Sequence, residues 1–91
     1  MNTERYTIQS CCGRTSIILK TDRPLDSNIL NSLLSLGFKE VKHFTNAGIL
    51  YIENENFILT GPIGSNRLQI KCKKENCDEK ILDIENKMKD I

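Results

Sequence analysis

Ninety-one residues, 38% of them hydrophobic and 27% charged, have the length and balance of one globular domain, residues 1–91. Thirteen Lys and Arg against 12 Asp and Glu leave a net charge of +1, so no global field draws in nucleic acid or anionic lipid, and an electrostatic partner must be met by a local patch. No apolar run is long enough for a signal peptide or a membrane span, which leads us to expect a cytoplasmic protein with no membrane partner, whose four cysteines serve more readily as thiols or metal ligands than as a disulfide framework.

Taken in order, Arg5 to Ser10 alternates with Tyr6, Ile8 and Ser10 on one face, the period of a half-buried strand. Thr15 to Lys20 is β-branched and apolar, so the two segments predict a hairpin with Cys11-Cys12-Gly13-Arg14 at its tip. A helix follows. Asp26 is placed to cap it, Leu25 and Leu30 to form a staple, and Gly37 to take the left-handed C-terminal position with Phe38 packing back on Leu33. Its buried stripe reads Ile29, Leu30, Leu33, Leu34 and Leu36.

Three strand candidates come next: Lys39 to Thr45, Gly48 to Glu53 and Phe57 to Gly61, the last two joined by a polar Asn54-Glu55-Asn56 turn. The successive apolar residues Ile49 to Ile52 and Phe57 to Leu59 predict a central hairpin covered on more than one side. Residues 61–66 lack the Gly-Lys-Ser/Thr ending of a phosphate cradle and read as a tight turn. Beyond it, Arg67 to Lys73 places Leu68, Ile70 and Cys72 inward and Gln69, Lys71 and Lys73 outward. The closing helix starts near Asn76 and carries Cys77, Ile81, Ile84, Met88 and Ile91 as its apolar stripe. This order predicts an α+β two-layer sandwich: a mostly antiparallel sheet with two helices on one face, ferredoxin-like or related.

Cys11, Cys12, Cys72 and Cys77 are the candidate site. Cys72 ends a strand and Cys77 opens a helix, both facing inward. If the first hairpin's tip lies at the same end of the sheet, the four could form a tetrahedral thiolate site, with zinc the default metal. Two alternatives stand beside it. Cys72 and Cys77 can be small buried hydrophobes, and any of the four can be a redox thiol or disulfide. The adjacent Cys11 and Cys12 match no zinc-finger spacing.

Lys71 and Lys73, with Lys39, Lys42, Lys74 and Arg67 nearby, can form a basic strip for a phosphate backbone. The aromatics Tyr6, Phe38, Phe44, Tyr51 and Phe57 are mostly needed in the core, which weakens the nucleic-acid reading. The lone His43, on a predicted strand, and the lack of paired carboxylates or a nucleophile elbow argue against an enzyme. The stretch Tyr6-Thr7-Ile8-Gln9-Ser10-Cys11-Cys12-Gly13-Arg14 and the segment Gly61 to Cys72 resemble small uncharacterised proteins of tailed bacteriophages. That resemblance implies an accessory protein in a host cytoplasm, with a host or viral binding partner rather than a reaction. The sequence thus points to a small non-enzymatic binding protein, with or without a zinc site. Its partner is expected to be a protein or a second copy, with nucleic acid the less favoured choice.

Overall fold

The computed structural model describes residues 1–9, 15–73 and 78–91. Cys11, Cys12 and Cys77, the tip of the first hairpin and the helix cap expected at Asn76 lie outside the described residues.

The chain begins as a hairpin of β1 (Thr3–Gln9) and β2 (Thr15–Thr21), antiparallel with Tyr6 opposite Ile18. Helix α1 (Ser27–Leu34) follows, capped by Asp26, whose carboxylate accepts from the Ile29 amide at 3.0 Å. It stops two residues before the expected stripe is complete. The amides of Leu36 and Gly37 bond back to Leu33 and Leu34, which places Leu36 in the turn at 37% exposure, and buried Phe38 fills the inward position instead. Gly37 takes φ +92°, a conformation that disfavours a side chain.

The expected strand at Lys39 to Thr45 is cut short. Only β3 (Lys39–Glu40) pairs, and from Lys42 the chain forms the short helix α2 (Lys42–Asn46), so His43 is helical and exposed. The residues explain the switch, because Val41 and Phe44 are three apart, a helical spacing, and the segment has no period-2 alternation of apolar residues. Gly48, at φ +83°, turns the chain from α2 into β4 (Ile49–Glu53). Next come β5 (Phe57–Pro62) and β6 (Arg67–Cys72), and the chain closes with α3 (Asp78–Lys89). The β4–β5 turn is built by Asn54, whose side-chain oxygen accepts from the amides of Asn56 and Phe57, both at 2.8 Å.

The six strands form one sheet in the order β1-β2-β6-β5-β4-β3, and every pair is antiparallel. This corrects the expected ferredoxin-like sandwich of two helices on one face. The described residues are dominated by the sheet and include three helices, one of them a five-residue turn. The reason is connectivity. A ferredoxin-like plait has two split βαβ crossovers, whereas here α1 makes a single crossover from β2 to the far edge of the sheet and β3 to β6 return as a meander until β6 closes on β2.

Alternation along the strands puts Ile17, Leu19, Leu50, Ile52, Phe57, Leu59, Leu68, Ile70 and Cys72 in the core. There they join Ile29, Leu30 and Leu33 of α1 and Ile81, Ile84 and Met88 of α3. No described helix is long and apolar enough to cross a membrane.

Candidate functional site

Directly opposed residues in an antiparallel ladder share a face, so the register identifies what stands on the other side of the sheet. Tyr6 opposes Ile18, Ile18 opposes Gln69, Gln69 opposes Thr60 and Thr60 opposes Tyr51. These residues form a transverse row across five strands, on the face away from the core. Alongside it lie Lys20 opposite Arg67, Ile58 opposite Lys71, and Lys39 opposite Glu53. Ile49 stands on the same face at 37% exposure and Tyr6 at 49%.

Two sequence expectations change here. The apolar run through β4 and β5 is core on one side only: Leu50 and Ile52 are buried, while Ile49, Tyr51 and Ile58 are left on the open face. Similarly, the face of β1 that carries Tyr6 points away from the core. The opposite face presents Arg5, which donates to the carboxylate of Glu85 on α3.

Among the described residues this surface is bordered at one end by α2, whose Phe44 ring stacks on Tyr51 with centroids 4.7 Å apart and planes 16° apart. His43 adds a tilted ring 4.8 Å from Phe44. At the other end the Tyr6 hydroxyl donates to Glu4 at 2.7 Å. That hydrogen bond and the carboxylate's charge raise the Tyr6 phenol above its ordinary value, opposed in part by the positive charge of Arg67. A shallow hollow of about 290 Å³ lies between these ends, lined by Ile18, Ile49, Thr60, Pro62, Arg67 and Gln69 among others. A larger hollow of about 510 Å³ lies at the β3–β4 margin, where Lys73 bonds to Glu53 at 3.3 Å beside Lys39, Asn54 and Asn56.

Of the four expected metal ligands, only Cys72 is described, buried at 7% exposure on the inner face of β6. It is disulfide-bonded, and its partner lies outside the described residues, where Cys11, Cys12 and Cys77 are all found. Among the described residues no group of three or more His, Cys, Asp or Glu side chains is placed to hold a metal ion. The ladder does bear on the first hairpin. Ser16 opposes Lys71, so the strand ends that flank residues 10–14, Gln9 and Thr15, stand at the same end of the sheet as Cys72.

Sequence reasoning missed the open face because it assigned each apolar run to a covered position. A signal was present in Ile18, Ile49, Tyr51 and Ile58, which exceed what a sheet with one buried face requires. Compared with known proteins, the chain matches no family model, no curated protein and no solved structure.

Proposed function

We propose that this chain is a small non-enzymatic binding protein whose working surface is the open face of its sheet. One observation carries the reading: the row Tyr6, Ile18, Gln69, Thr60 and Tyr51 spans five strands, and among the described residues α2 meets it only at its end, where Phe44 stacks on Tyr51. Strands as apolar as β2, β4 and β5 ordinarily have both faces covered, and Ile18, Ile49, Tyr51 and Ile58 left on an open face beside polar residues suit an interaction site. The resemblance to small tailed-phage proteins supports the same reading, since it favours binding over catalysis. The zinc site expected at Cys11, Cys12, Cys72 and Cys77 would require the Cys72 bond to be reduced first, because zinc is held by thiolate. In the expected cytoplasmic setting that bond would form transiently or by redox cycling.

A photoreactive amino acid placed at Ile18, in cells producing the protein, tests the assignment. The control position is Leu82, an apolar residue of α3 that is 54% exposed. Cross-linked adducts at Ile18 in several-fold excess over those at Leu82 are expected. Equal yields at the two positions, or none at Ile18, would remove the open face as the working surface.

A further inference from the structure

We infer that the open face binds single-stranded nucleic acid. The inference rests on the binding role proposed for that face and adds the chemistry of the partner. It starts from charge. Among the described residues the face and its β4–β5 margin carry Lys20, Lys39, Arg67, Lys71 and Lys73 against three carboxylates, Glu4, Glu53 and Glu55. Five cations against three anions give it a net +2, while the whole chain carries +1.

Lys20 is directly opposed to Arg67 on one side and to Glu4 on the other, so a single carboxylate lies beside two opposed cations. Setting Glu53 against Lys73 and Glu4 against Lys20 leaves Lys39, Arg67 and Lys71 with Glu55 alone to oppose them. The ligand that complements this face is therefore anionic.

The aromatics distinguish a nucleic acid from other anions. Tyr6 stands at one end of the row and Tyr51, backed by Phe44, at the other, four strand spacings or roughly 19 Å apart. Rings on an open sheet face, separated by apolar and amide side chains and flanked by cations, suit unstacked bases tied to a phosphate backbone. A duplex keeps its bases stacked and offers these rings nothing, and an acidic peptide would satisfy the cations but not the rings. Reading the aromatics as core residues concealed this combination, which exists only once the ladder sets Tyr6 and Tyr51 on the same face as Lys20, Arg67 and Lys71.

Fluorescence anisotropy with labelled oligothymidylate and oligouridylate of about 12 nucleotides, inside the usual footprint range, tests the proposal. Binding is expected at low salt, falling about 20- to 130-fold between about 50 and 200 mM if three to five phosphates are neutralised. Tyr6→Ala, at an exposed position, should weaken it about tenfold. Arg67→Glu with Lys71→Glu should abolish it, whereas Lys80→Glu with Lys89→Glu, the same charge change on α3, should leave it nearly intact. No binding at low salt, equal losses from the two charge reversals, or equally effective competition by polyglutamate would each overturn the proposal. Failure with oligonucleotides while Ile18 still forms protein adducts would reject nucleic acid and leave the binding face standing; failure of both would reject the face itself.

Discussion

The phenol of Tyr6 hydrogen-bonds to Glu4 two residues earlier on the same strand face, and ionising it would break that bond and set two negative charges side by side. Its titration is therefore shifted upward from 10.0, and Glu4→Gln should bring it back down. Tyrosinate absorbance in a Tyr51→Phe background measures this directly, and identical curves with and without Glu4 would contradict the contact. The sign for stability follows from the raised folded-state value. Any contribution is complete below the ordinary phenol range and disappears as pH climbs through the folded-state value, and Tyr6's exposure keeps it small. Alternation in β1 was legible from Tyr6 and Ile8, but which side met the core was not. An edge strand can turn either face inward, and here the Arg5–Glu85 ion pair with α3 lies on the inward one.

Among the elements, the β5–β6 turn shows how a local signal acquires a tertiary purpose. Residues 61–66 read as a turn, and the structure docks that turn on the link between β2 and α1: the Leu25 amide donates to the Ser65 carbonyl at 2.7 Å, and the Gly64 amide to the Leu25 carbonyl at 2.9 Å. Gly61 is the tight point. A Cβ there would lie 2.5 Å from the Arg67 carbonyl oxygen and 2.8 Å from Leu25 Cδ1, and the first of these is backbone that cannot swing aside. Gly61→Ala should therefore cost about 1–3 kcal/mol, read as a lower urea midpoint with unchanged slope. An unaltered midpoint would show that the turn has slack. Helix α1 was legible at its start because Asp26 and its amide partner are neighbours in sequence. Its end was legible in Gly37 and Phe38, which take the left-handed turn and the buried position expected of them, whereas Leu36, expected in the stripe, is turned outward.

For the molecule as a whole, the fate of Cys72 decides between a metal clasp and a covalent one. Peptide mapping without reductant is expected to recover the Cys72 peptide joined to a second cysteine peptide, and reduction should lower stability by about 2–4 kcal/mol, the usual range for such a cross-link. A wholly alkylatable Cys72 in the native protein would exclude the bond. Sequence by itself determined the α+β character, the cap at Asp26, the turns around Asn54 and Gly64, and the inward set Leu68, Ile70 and Cys72, because each depends on residues within a few positions of one another. Only the tertiary structure decided that β6 closes on β2, that the sheet runs antiparallel throughout, and that Tyr6, Ile18 and Tyr51 share an uncovered face. Strand alternation reports that a segment has two sides, but which side is covered depends on elements far away in the chain.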